Sequence, residues 1–180
     1  EALDLGADIV NDIWALRRGD ALQAVAAHPA CGVCLMHMHR DPQTMQAAPM
    51  AGDVLPAVAD FLRQQADALR ALGVAPQRIT LDPGIGFGKT VAQNFSLLAH
   101  QRELLSLGYP LLAGWSRKSS LGSVTGRDQP VERVSASVAA AVLAVERGAR
   151  IVRVHDVRET VDALRVWQAM QDEDAAASRG

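Results

Sequence analysis

Leu81-Asp82-Pro83-Gly84-Ile85-Gly86-Phe87-Gly88-Lys89 closes an apolar run that includes Ile79. A carboxylate ends the run, and three glycines follow at alternate positions. A buried strand with a polar group at its carboxyl end, followed by a pliant loop, is how parallel α/β proteins build ligand sites. Two further runs end in the same way. Gly114-Trp115-Ser116-Arg117-Lys118-Ser119 and Arg153-Val154-His155-Asp156 both place polar groups where apolar stretches stop.

The same unit recurs on either side of this stretch. Strands are predicted at Ile9–Ile13, Gly32–His37, Arg78–Asp82, Tyr109–Gly114 and Arg150–His155. Helical segments are predicted at Asp20–His28, Val54–Leu72, Asn94–Leu107, Val131–Arg147 and Glu159–Met170, with Gly73, Gly108 and Gly148 as stops. Strand–helix alternation predicts a parallel sheet with covered faces, either an open doubly wound sheet or a (β/α)8 barrel. An open sheet gathers its ligand groups at one switch point. Here polar groups end nearly every strand, which favours the barrel. A closed barrel takes about 250 residues, and three further βα units of roughly 30 residues make up the difference. The opening Glu1-Ala2-Leu3-Asp4-Leu5-Gly6 reads as the end of a helix, so the chain is expected to be a piece of a longer protein.

Composition narrows the function classes. With 180 residues, 49% of them hydrophobic, the chain is long enough for one real core. A net charge of -2 without a basic run points away from nucleic acid and anionic membrane surfaces. The longest apolar run, Val138 to Val145, is too short to span a bilayer. Two cysteines and no secretory pattern fit a reducing, cytoplasmic setting.

The glycine loop matches neither common phosphate-binding fingerprint. A Walker loop needs glycine where Pro83 stands, and the dinucleotide motif needs two residues between its second and third glycines, where Phe87 stands alone. Asp82 is either a structural acid or a ligand whose two oxygens suit paired N–H donors on a planar ring. Arg153 and His155 are two apart in a strand and share a face, either as surface ion-pairing groups or as donors to phosphate. Asn11 either caps a turn with Asp12 or reads a ligand edge. Cys31 and Cys34 with His37 and His39 resemble a zinc or redox set, but a strand sends Cys34 and His37 to opposite faces. Cys34 therefore reads as core. Trp115 is a bulky neighbour for Ser116.

Taken together, the strand ends resemble dihydropteroate synthase. The resemblance is carried by Ile9-Val10-Asn11-Asp12-Ile13, Cys34-Leu35-Met36-His37-Met38, the Leu81–Lys89 stretch, Gly114-Trp115-Ser116-Arg117-Lys118-Ser119 and Ile151-Val152-Arg153-Val154-His155-Asp156. It implies a partial (β/α)8 TIM barrel, about five of eight units, corresponding to strands four to eight. Residues 1–170 would form the pterin-binding domain and residues 171–180 a frayed tail. The implied enzyme is a transferase of folate biosynthesis. It joins a dihydropterin methyl diphosphate to 4-aminobenzoate, releases diphosphate, and is the target of sulfonamides.

Carried over residue by residue, Asp82 would hold the pterin's N3–H and 2-amino edge and Asn11 the opposite side of the ring. Lys118 would bind the ring carbonyl and nitrogen, and Arg153 would stack on the ring. Met36, Phe87 and Gly114 would line the pocket. Arg153 and His155 would hold the diphosphate, and Ser116 would lie towards the aminobenzoate. No residue is assigned as acid or base. The family's first three strands, two mobile loops and magnesium-binding Asn have no counterpart here, so Mg2+ is expected as cofactor with no ligand in this chain. The family also implies a homodimer for the full-length protein. The alternatives are a pterin-binding barrel that passes a methyl group from methyltetrahydrofolate to a corrinoid, and a non-catalytic pterin-binding module.

Overall fold

The computed structural model describes residues 2–45 and 47–177. Five strands lie side by side: β1 (Ile9–Asp12), β2 (Gly32–Met36), β3 (Ile79–Asp82), β4 (Leu111–Ala113) and β5 (Ala149–Val152). Their spatial order is their chain order and every neighbouring pair is parallel. A doubly wound sheet reverses its strand order at a switch point. This sheet does not reverse, which decides for the barrel wall. It is an open arc of five βα units, with β1 and β5 as its edges among the described residues.

Between and after the strands run α1 (Ala21–Ala27), α2 (Leu55–Ala71), α3 (Val91–Ala99), α4 (Ser119–Thr125), α5 (Val134–Glu146) and α6 (Val157–Ala177). Alternation along the strands sorts side chains into two layers. Val33, Leu35, Ile79, Leu81, Leu111 and Ala113 face the helices and join one core with Val58, Leu62, Ala66 and Leu69 of α2. Those four positions repeat at helical spacing, forming one stripe on α2. Leu62 and Leu69 are fully buried, each worth roughly 1.5–3 kcal/mol.

The opposite face of the sheet is the one the site uses. Strand register aligns Asn11 with Cys34 and Thr80, and Met36 with Asp82. Leu112 and Ile151 continue this face across β4 and β5. At the two edges it is uncovered, with Ile9 60% and Ile151 38% exposed.

Element ends differ from the sequence reading for local reasons. The third helix starts earlier, at Val91, because Thr90 and Gln93 form a reciprocal capping box. It gives way to 3-10 turns over Gln101–Leu107 instead of running on to Leu107. The helix expected from Val131 begins as a 3-10 turn at Pro130–Arg133, and α5 follows. Helix α4 was not expected at all. The last helix does not stop near Met170. It continues to Ala177, because Gln171, Glu173 and the alanines Ala175 to Ala177 are strong helix formers. Ser178 to Gly180, the rest of the expected tail, lie outside the described residues.

Candidate functional site

Asp82 ends β3 and is 2% exposed. One carboxylate oxygen accepts the Gly84 N–H at 2.7 Å. Gly84 has φ +70°, and a Cβ there would run into the His37 carbonyl oxygen, so only glycine lets the loop turn this closely over β2. Burial pushes the Asp82 carboxyl up, while the Gly84 N–H, Arg153, Lys118 and Lys89 pull it back towards the charged form. One buried carboxylate therefore faces three cations.

The cations come from separate strand ends. Lys118 precedes α4, and its ammonium stands 4.4 Å from the centre of the Phe87 ring. Burial is the main cause that lowers its pKa, with Arg153 adding repulsion against the attraction of Asp82. Arg153 follows β5. Its backbone N–H bonds the Ala113 carbonyl at 3.1 Å, and its guanidinium lies over Gly114. A Cβ on Gly114 would stand 3.1 Å from Nη2, so that glycine makes room for the arginine.

Beyond them, Ser116 and His155 are joined twice. The Ser116 Oγ lies 2.9 Å from His155 Nδ1 and accepts the His155 backbone N–H at 3.0 Å. With Nδ1 engaged by Ser116, Nε2 is the ring nitrogen left for a ligand. Arg117 forms a fork with Asp156, at 2.6 and 3.1 Å, which ties the β4 and β5 ends together. The fork raises the Arg117 pKa and holds the Asp156 carboxyl below its ordinary value. Arg117 adopts φ 58°, and Ser137 and Arg133 bind its N–H and carbonyl at 2.8 and 2.9 Å. Gly114, Ser116, Arg117, Lys118, Pro130, Arg153 and His155 line one polar cavity of about 340 Å³. A larger cavity, about 660 Å³ between α5 and α6, is lined mainly by Val, Ala and Leu and has no comparable chemistry.

Of the sequence-predicted residues, Met36, Asp82, Phe87, Gly114, Ser116, Lys118, Arg153 and His155 gather at the carboxyl ends of β2 to β5. Met36 is paired with Asp82 in register and packs under Gly84. Asn11 shares their face of the sheet but stands apart on edge strand β1, exposed and one row below. Two strand spacings, roughly 10 Å, separate it from β3. Asp12 holds the following turn, accepting Trp14 and Leu16 N–H at 3.1 and 2.7 Å. Trp115 turns into the helix-side core against Phe95, not towards Ser116. Burial, with the Asp82 charge adding, pushes the Cys34 thiol up to about 12.

Three contributors were not visible in the sequence reading. Lys89 is buried and bonds His37 Nδ1 and the Gly84 carbonyl at 3.0 and 2.9 Å. Asn94 clasps the glycine loop, accepting Gly86 N–H at 2.8 Å and donating to Ser120 at 2.9 Å. The Arg117–Asp156 fork is the third. Its signal was present, since opposite charges stand at matching places after two strands.

A parallel barrel wall that gathers a buried carboxylate, an aromatic ring and a cationic cavity at its strand ends defines a class. It is the class of parallel α/β barrel proteins that bind small molecules at the carboxyl ends of their strands. The chain belongs to the pterin binding enzyme family, whose model matches residues 1–155. Its relatives are dihydropteroate synthases. The one from Neisseria meningitidis serogroup C is 50% identical over 172 residues, covering 94% of this chain and 61% of the relative. The crystal structure from Stenotrophomonas maltophilia, with imidazole bound in its active site, superposes with a TM-score of 0.91. It is 54% identical and covers 94% of this chain and 64% of that one. The Burkholderia cenocepacia enzyme complexed with 7,8-dihydropteroate gives a TM-score of 0.89 at 52% identity, over 99% and 65% of the two chains. This chain thus spans less than two thirds of each of these three relatives.

Proposed function

We propose that this chain supplies the pterin- and diphosphate-holding part of a dihydropteroate synthase. The observation that carries the reading is the buried Asp82 carboxylate set among Lys118, Arg153 and Lys89, beside a cationic cavity at the same end of the barrel. Asp82 accepts the N3–H and 2-amino protons of the pterin, and a charged acceptor for two parallel donors gives orientation as well as energy. Asn11 meets the far side of the ring from β1. Met36 and Phe87 pack beside the ring, Lys118 donates to its carbonyl and ring nitrogen, and Arg153 lies along its face over Gly114. His155 and Arg153 donate to the diphosphate, with Ser116 orienting His155 and facing the aminobenzoate.

In the reaction the amine of 4-aminobenzoate attacks the pterin methylene carbon. A C–N bond forms while the C–O bond breaks, diphosphate leaves with the bonding electron pair, and the amine proton passes to solvent. The chain's residues fix the ring and stabilise the departing charge, which is catalysis by positioning and electrostatics. Among the described residues no group of three or more His, Cys, Asp or Glu side chains could hold a metal ion. Mg2+ is the cofactor of this reading, and its protein ligand would lie outside these residues. Methyl transfer to a corrinoid releases no anion and leaves the cationic cavity without a use.

The reading extends to three further properties. Sulfonamides compete at the Ser116 end. Two copies associate, a role suited to the apolar groove of Val134, Val138, Val142 and Leu143. The protein works in the cytoplasm, in keeping with the free thiols of Cys31 and Cys34 and with no described helix long and apolar enough to cross a membrane. The test is diphosphate release by the full-length protein given dihydropterin methyl diphosphate, 4-aminobenzoate and magnesium. Release that Arg153→Ala largely abolishes supports the reading, and no release from the wild type sinks it.

A further inference from the structure

Lys89 lies at the far end of the glycine loop, 4% exposed, and no step of the proposed reaction touches it. Its ammonium meets three acceptors: the Gly84 carbonyl at 2.9 Å, the Phe87 carbonyl at 3.3 Å and His37 Nδ1 at 3.0 Å. Gly84 is therefore gripped from both sides. Its N–H holds the Asp82 carboxylate, and its C=O holds the Lys89 ammonium. Phe87, the other residue whose carbonyl Lys89 binds, carries the ring that flanks Lys118. His37 is in turn fixed by its backbone N–H to the Asp82 carbonyl at 2.9 Å and by an edge contact with Phe61.

Burying an ammonium costs several kcal/mol, and an apolar side chain would fill the space without that cost. The charge is kept where it faces a carboxylate that must itself stay ionised in a buried place. We propose that Lys89 is a positioning residue of the pterin site, clamping the Asp82–Phe87 loop from beneath and serving as the internal counter-charge of Asp82. This inference rests on the pterin reading of the same pocket.

The electrostatics agree with the geometry. Burial brings Lys89 down to about 7, with Lys118 adding to the fall and Asp82 opposing it. His37 is held neutral, its pKa lowered to about 3 by burial first, then by Lys89, with His39 and Arg17 adding. Its Nδ1 is thus an acceptor for the ammonium. The charged or titratable groups facing the Asp82–Lys89 pair are Lys118 from the α4 end, Arg153 after β5, Cys34 from β2 and His37 just after it. Removing Lys89 leaves Asp82 with two of its three cations, so its carboxyl takes up a proton at higher pH.

The test uses the full-length protein with carbon-13 carboxyl-labelled aspartate, the Asp82 signal being assigned by its loss in Asp82→Asn. In Lys89→Met the Asp82 titration midpoint is expected to rise by about one pH unit or more, and Lys89→Arg is expected to restore it. Binding of dihydropterin methyl diphosphate is expected to weaken about tenfold in Lys89→Met and less than about twofold when Asp82→Asn is already present. A side chain that merely filled space would cost the same in both backgrounds. If Lys89→Met does not fold, Lys89→Gln gives the same comparison. An unmoved Asp82 midpoint, or equal losses in both backgrounds, overturns the proposal. A wild type that binds no pterin would defeat the pterin reading, while the Asp82 titration would still decide the role of Lys89.

Discussion

Asp82 sets the chemistry of the site because a buried carboxylate is expensive unless its partners are already in place. Here the Gly84 N–H and three cations provide that environment before any ligand arrives. Asp82→Asn keeps the shape but turns one acceptor oxygen into a donor, which then faces the donor edge of the pterin. Losing a charge-assisted pair costs about 1.5–3 kcal/mol, so the dissociation constant for a pterin is expected to rise about 10- to 150-fold. Isothermal titration of wild type and variant measures this, and an affinity unchanged by the substitution would show that Asp82 does not read the ring. Much at this scale was legible in advance, because Asp82, Lys118, Arg153 and His155 stand where apolar runs stop. Lys89 was not. Its sequence setting reads as a failed Walker loop, and only the folded chain shows that it turns inward beneath Gly84. Trp115 was equally opaque, since the residue pattern does not say on which side of the wall an indole beside Ser116 will lie.

Strands and helices place these residues by simple rules. Alternation puts Asn11, Met36 and Asp82 on one face and leaves Leu35 and Leu81 to the helices. The cationic cavity depends on a link between elements, because the Arg117–Asp156 fork joins the end of β4 to the end of β5. Asp156→Asn removes the charge that draws Arg117 aside. Without that carboxylate the cavity is more positive, so binding of inorganic diphosphate is expected to tighten about two- to fivefold with pterin affinity unchanged. Titration with each ligand separately checks this, and an equal loss for both would assign the fork to overall stability. Strand positions were readable from apolar runs, and helix stops from Gly73, Gly108 and Gly148. Helix α4 and the 3-10 turns at Gln101–Leu107 were not, because short segments carry little periodicity. The start of α3 was missed because the Thr90–Gln93 capping box lies before its apolar stripe.

Across the whole molecule, the buried titratable groups give stability a definite pH course. Unfolded, lysines keep their protons to about 10.5, whereas folded Lys89 releases its own near 7 and Lys118 is lowered as well. Between those values the unfolded chain binds more protons, so stability rises with pH. Above 9 folded Cys34, which holds its proton to about 12, offsets this gain, and the sign reverses only above about 10.5, where the unfolded lysines have lost their protons too. The urea midpoint is expected to be higher at pH 8.5 than at pH 7, by a smaller margin in Lys89→Met. A fall over that interval would contradict the burial of both lysines. The strand order, which never reverses, was half legible in the sequence: polar groups at nearly every strand end favoured a barrel, but only the pairing of β1 to β5 in chain order decided it. The proposed seat of the pterin and its anionic arm is a single place, the carboxyl ends of the strands. The most direct measurement is a diffraction structure of the full-length protein with dihydropterin methyl diphosphate and no 4-aminobenzoate. The account predicts the ring's N3–H and 2-amino group on Asp82, with the diphosphate between Arg153 and His155. A ligand seated elsewhere, or lying with its diphosphate towards Asp82, would contradict it.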